Sequence, residues 1–195
     1  MNAPTFVDTL ETFPTPETNT RRFTTPSLSL SLFQEQTLPK LTRVNWANLA
    51  SFILNCAVTF GFSAVMSLPD NSVLSKKYQT LVTPQGWAFS IWGIIFTAQA
   101  IFVVMQMLPR WRSNTQVQNG MGYWFAGACV VQSFWTIFFA LEIQWAAFGC
   151  MASILLALLG CVRSLALTPP ATYGDYWLFH FPISVHLGWI ACATA

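Results

Sequence analysis

Two histidines, His180 and His186, have the widest chemical reach in this 195-residue sequence. An imidazole carries protons near neutral pH, and it can ligate the magnesium or iron of a tetrapyrrole. Both lie in a mostly apolar stretch whose one acid, Asp175, stands near its start. They are six residues apart, so they do not share a helix face and cannot both ligate one metal from a single helix. Each therefore has two readings. An ionisable group inside an apolar helix is costly and is a functional candidate by default. A neutral histidine bridging to a neighbouring helix is the plainer use.

Tryptophans form the second set. Trp124, Trp145, Trp177 and Trp189 read as belt and packing residues. Trp92 and Trp135 fall deeper in apolar runs, where an indole N–H needs a partner, which makes them the better ligand contacts. The candidate binding residues are thus Trp92, Trp135, His180 and His186. The cofactor is left open among a porphyrin, a chlorophyll, a carotenoid and a lipid. Asn55, Gln99, Gln106 and Gln132 either bridge helices or line a cavity, bridging being the commoner use. No G-x-S-x-G, H-E-x-x-H or phosphate-binding glycine loop occurs, and the chain reads as non-enzymatic. Cys56, Cys129, Cys150, Cys161 and Cys192 all lie in apolar runs without a C-x-x-C pair, so they read as small hydrophobes.

The elements that must hold these residues follow from composition. Hydrophobic residues make up 54% of the chain and charged residues 8%, against about 25% charged in a soluble domain. Such a chain cannot cover a soluble surface, so the surrounding medium must be apolar. A net charge of +2 without a basic cluster gives no case for nucleic acid. About 20 apolar residues cross a bilayer core. Five runs meet that length: about 46–68, 84–108, 122–143, 145–167 and 173–195. The expected fold is an all-α, integral-membrane bundle of five transmembrane helices.

Several local signals support these boundaries. Asn48 and Asn55 are seven apart and should face the bundle interior together. Ala57 and Gly61 form a small-xxx-small pair suited to close helix approach. Pro69-Asp70-Asn71-Ser72 should end the first span. Pro84 reads as the first residue of the second, with Trp87 as its interfacial anchor. Arg110 and Arg112 close that span at the helix end where cations are favoured. The short connection at Glu142 should force an antiparallel pair. Pro169-Pro170 ends the fourth span, and the fifth is still running at Ala195, so either it ends at the membrane face or the sequence continues.

Residues 1–42 are rich in Ser, Thr and Pro. Arg21 and Arg22 hint at a transit peptide, but Asp8, Glu11, Glu17 and Glu35 are out of place in one. The other reading is a polar extension along the membrane surface. With five spans, Arg21, Arg22, Lys40, Arg43, Arg110, Arg112 and Arg163 share the N-terminal side, against Lys76 and Lys77 opposite. The positive-inside rule then puts the N-terminus on the cytoplasmic, stromal or matrix side, as in a thylakoid or mitochondrial membrane.

At these residues the chain resembles the tryptophan-rich sensory protein family, also called TspO or the peripheral benzodiazepine receptor/translocator family. Tyr78-x-x-Leu81-x-x-Pro84 followed by Trp87-x-Phe89-x-x-Trp92 is similar to that family's entry into its second helix. Gln132-Ser-Phe-Trp135-Thr136-Ile-Phe138-Phe139 resembles its N-x-x-W-S-x-x-F-F pattern, with Gln for Asn and Thr for Ser. Pro182-Ile-Ser-Val-His186-Leu-Gly188-Trp189 resembles the P-F-S-x-Y-L-G-W run of larger, divergent members, with His186 for Tyr. The resemblance covers about residues 46–195. It implies a five-helix bundle, often dimeric, that holds tetrapyrroles or sterols between helices. It places ligand aromatics near Trp92 and Trp135 and a lid at the first loop, about 68–84. The sterol-recognition stretch expected after the fifth helix is absent, so sterol binding does not carry over.

Two functions are therefore expected. One is a membrane protein holding a tetrapyrrole or another flat hydrophobic ligand among Trp-rich helices. The alternative is an accessory, pigment-binding subunit of a large photosynthetic or respiratory complex. The expected partners are membrane lipids and a second copy or other subunits.

Overall fold

Helix starts in this chain are set by short polar residues placed ahead of apolar runs. Thr42 caps the first: its hydroxyl accepts from Asn45 N, while Asn45 Oδ1 accepts from Thr42 N at 2.9 Å, a reciprocal capping box. The computed structural model describes residues 38–66, 71–79 and 83–194. The 1–37 part of the N-terminal extension lies outside the described residues. So do Pro69 and Asp70 of the expected first stop.

Helix α1 runs Arg43–Cys56 and continues as a π-helical stretch, Ala57–Phe62, and a last α turn, Ser63–Val65. A short helix, α2, spans Asn71–Lys77. A 3₁₀ turn, Gly86–Ser90, leads into α3, Ile91–Met105. A π-helical turn, Gln116–Met121, leads into α4, Gly122–Ala140. Helix α5 is Gln144–Ala166. The turn Tyr173–Asp175 and a π-helical stretch, Tyr176–His180, lead into α6, Phe181–Thr194. No strand occurs among the described residues.

Among the described residues, three helical runs are long and apolar enough to cross a membrane: Gly86–Met105, Gln116–Ala140 and Gln144–Ala166. The first and last runs of the chain are of similar length but carry more polar side chains. Asn45, Asn48 and Asn55 in α1, and Asp175 and His186 in the last run, are all turned inward and buried. The three-residue connection 141–143 makes α4 and α5 an antiparallel pair. Lipid-sized apolar side chains point outward, including Ile94, Ile101 and Leu156.

Polar residues tie the N-terminal end of the bundle. Asn48 Nδ2 donates to Gln106 Oε1 at 3.2 Å, and Gln106 Nε2 donates to Asn45 O at 3.4 Å, joining α1 to the end of α3. Arg112 donates to Met107 O and to Pro39 O, both at 2.9 Å. Gly120 lets the turn into α4 press on the end of α5: a Cβ there would lie 2.8 Å from both Leu165 Cδ2 and Thr168 Oγ1.

Two local expectations need correction. Ala57 and Gly61 do not mediate a helix contact within the bundle. Ala57 is exposed and a Cβ on Gly61 would meet nothing within 4 Å. The π-helical winding changes the angle per residue, so spacing of four no longer reports one α-helical face. Pro84 is not the first helical residue either: Gln85 is extended and the 3₁₀ turn opens at Gly86. Trp87 is exposed, as an interfacial anchor requires, and Asn48 and Asn55 are both fully buried.

Candidate functional site

Trp92 is the hub of an aromatic cluster at the end of the bundle away from the N-terminus. It lies in the first turn of α3, and its ring meets Phe96 at 5.9 Å, Trp135 of α4 at 6.2 Å, and His186 and Trp189 of α6 at 5.8 and 6.2 Å. Trp135 stacks on Phe139 at 5.1 Å and 13°. Offset and edge-to-face pairs at these separations are the favoured aromatic geometries. They bring α3, α4 and α6 to one point.

A cavity of about 230 Å³ opens beside this cluster. Trp92, Trp135, Phe139 and Trp189 give it flat walls, Met151 on α5 a polarisable one, and Ser75, Tyr78 and Pro84 cover its outer side. Two of its lining residues carry a buried polar atom without a partner, Trp92 Nε1 and Gln144 Nε2. The arrangement can hold a flat apolar molecule by stacking and burial.

His186 sits behind Trp92 rather than in the wall. It is 1% exposed. The Gln99 amide nitrogen faces its Nδ1 at 3.0 Å, so Nδ1 accepts and the hydrogen sits on Nε2, which has no partner. In that tautomer Nε2 offers a hydrogen, not a lone pair. Metal ligation would need the Gln99 amide turned over, so that its unpaired Oε1 takes the hydrogen of Nδ1. His180 lies nearer the other end. It stacks on Tyr176 at 5.6 Å and its Nε2 faces Gln116 Nε2 at 3.3 Å. The structure thus brings Trp92, Trp135 and His186 together and sets His180 apart from them.

The cover of the cavity is tied down by one carboxylate. Lys77 Nζ reaches Glu142 Oε2 at 2.6 Å, and the Tyr78 hydroxyl donates to the same oxygen. Glu142 has φ +61°, a left-handed conformation that normally selects glycine and costs a side-chain-bearing residue about 1–3 kcal/mol. The contact to α2 accounts for glutamate at this position. The hydrogen bond from Lys77, aided by Tyr78, holds the Glu142 carboxyl below its usual 4.5. The same bond raises the Lys77 ammonium above 10.5. A lowered acid stabilises above its unfolded pKa and a raised base below its own. The tie is therefore fully present from about pH 4.5 to 10.5, and weakens as pH falls through the lowered Glu142 value or rises through the raised Lys77 value. Spin labels at Val73 and Trp145 are expected to keep one distance population across that window and to broaden only outside it.

Gln144, Phe139, Met151 and Trp189 were not singled out as ligand contacts by sequence. Trp189 read as packing, and Gln144 lay between two spans. Glu142 carried a signal: it is the lone acid in a tight apolar connection.

Residues 42–195 match a family model described as TSPO-like protein. No curated protein and no solved structure matches the chain. The match covers all of the described helices and the motifs around Trp92, Trp135 and Trp189. The chain belongs to the TSPO-like protein family and is an integral membrane protein.

Proposed function

We propose that this protein binds a flat hydrophobic ligand, without catalysis, in the cavity between Trp92, Trp135, Phe139 and Trp189. The observation that carries the reading is the cavity itself, with its aromatic walls and an unpaired indole donor at Trp92. Burial of an apolar ligand against such walls supplies affinity without a charged partner. Size selects among the candidates. Pockets for drug-sized ligands run about 300–1,000 Å³, and this one is about 230 Å³. A molecule of two or three fused rings suits it with α2 in place, whereas a tetrapyrrole requires Ser75 and Tyr78 to move outward. The bundle is taken to cross the membrane five times, with Lys40, Arg43, Arg110, Arg112 and Arg163 on the cytoplasmic, stromal or matrix side.

Titration of the detergent-purified full chain with anthraquinone and with protoporphyrin tests this. Tryptophan emission should be quenched saturably by both, anthraquinone binding without change at α2 and protoporphyrin only with its displacement. Unchanged emission at saturating concentrations of both would refute the reading.

One observation favours a second role as a subunit. Gly61, Gly93, Gly127, Gly149 and Gly188 each leave open space where a Cβ would stand. Glycines on the outside of membrane helices allow close approach of another helix. Migration with a larger particle on a native gel would support that role; migration as a single chain would oppose it.

A further inference from the structure

A second recess lies at the opposite end of the bundle from the ligand cavity. It has a volume of about 550 Å³ and sits where the connections into α4 and α6 meet, with Ser113, Thr115, Gln116, Thr168 and Asp175 in its wall. Gln116 is 3% exposed. Its Nε2 donates to Thr168 O at 2.8 Å, and a carbonyl can only accept, so the amide orientation is fixed. The second amide hydrogen faces His180 Nε2 at 3.3 Å. Gln116 Oε1 is left buried without a donor.

Asp175 is 4% exposed. Its Oδ2 takes both local bonds, from Thr172 N at 2.9 Å and from Thr172 Oγ1 at 3.0 Å, in the capping box of the last helical run. Oδ1 takes none among the described residues. Nor does a cation pair with this carboxylate, since the ion pair present among the described residues joins Lys77 to Glu142. A buried carboxylate without a counter-charge and a buried amide oxygen without a donor, both on residues that line one recess, make an arrangement short of a positively charged hydrogen-bond donor.

The recess continues through Ala171 into an aromatic groove of Pro170, Tyr173, Tyr176 and Trp177. Tyr173 is 90% exposed and Trp177 61%. Both lie in the stretch that links the end of a membrane-length helix, α5, to α6, the kind of position near the membrane–water boundary where amphipathic aromatics collect. Arg163, exposed in the last turn of α5, stands one helical turn before Leu167 of the recess wall.

We propose that this recess binds the primary ammonium of an aminophospholipid headgroup, with Asp175 and Gln116 Oε1 accepting its N–H groups. The acyl chains run along the aromatic groove and Arg163 serves the phosphate. A choline headgroup has no N–H to give and is refused on that ground. The inference does not depend on what occupies the main cavity.

Native mass spectrometry of the full chain with equimolar dioleoyl phosphatidylethanolamine and dioleoyl phosphatidylcholine tests it. The ethanolamine lipid should be retained about tenfold more, the scale of one charge-assisted hydrogen bond. Successive N-methylation of the headgroup should reduce retention stepwise. Asp175→Asn keeps an oxygen for the Thr172 cap but removes the charge, and should bring the two lipids to near parity. Equal retention by the wild type, or a preference unchanged in Asp175→Asn, would overturn the proposal. Free ethanolamine should not displace the lipid; displacement would assign the recess to a soluble amine and overturn the lipid assignment.

Discussion

Trp92→Ala is expected to weaken binding of anthraquinone by about thirtyfold or more, the cost of truncating a buried tryptophan hot spot of at least 2 kcal/mol. Trp92 forms one wall of the cavity and also props Trp135 and Trp189, which form two others. Removing it deletes one stacking face and frees the other two to turn. The bundle should also lose stability, because Trp92 joins α3 to α4 and α6 through three ring contacts; tryptophan-to-alanine changes in packed sites cost about 3–5 kcal/mol. Trp92→Phe separates the two effects. It keeps a ring for the neighbours and removes the unpaired N–H, so it should fold close to wild type and lose less affinity. Dissociation constants from fluorescence quenching, beside thermal melting in the same detergent, check both parts.

Gln106→Leu should destabilise the other end of the bundle without touching the cavity. Gln106 is fully buried and accepts from Asn48 Nδ2 while donating to Asn45 O. Leucine has nearly the right volume but leaves the Asn48 amide and the Asn45 carbonyl short of partners. Asn48 Oδ1 is already unpaired, so this amide would then be wholly unsatisfied. A buried polar group left without a partner costs about 1–3 kcal/mol. The measurement is melting temperature, with anthraquinone affinity as the control. A lowered melting temperature with unchanged affinity is expected.

Much of the fold was legible because periodicity and composition report burial directly. The seven-residue spacing of Asn48 and Asn55 placed both inside, and apolar length located the helical runs, α5 within a residue at each end. Trp92 and Trp135 stood out because a deep indole needs company, and the structure places them in one cavity wall. Two of the misses share a cause. Ala57–Gly61 and the early start of the third run at Gln116 involve π-helical turns, where an extra residue per turn breaks the 3.6 period that sequence reading assumes. Gln144 was passed over, and Glu142 read only as the place of a short connection, because a connection has no periodicity to read. Their positions depend on the left-handed backbone at Glu142 and on where α2 rests against it. His186 was found by its rarity in an apolar run, but its tautomer depends on Gln99, a residue 87 positions away in the chain.

The most direct test of a ligand site beside Trp92 is photocrosslinking with a diazirine-bearing anthraquinone, mapped by peptide sequencing of the full chain in lipid nanodiscs. Ala193→Trp is the matched control, since Ala193 lines the cavity from an exposed position and a larger side chain there fills it. Labels should concentrate on Trp135, Phe139 and Met151 in the wild type and disappear from them in Ala193→Trp. Labels spread over outward residues such as Ile101 and Leu156, unchanged by Ala193→Trp, would contradict a ligand cavity among these helices.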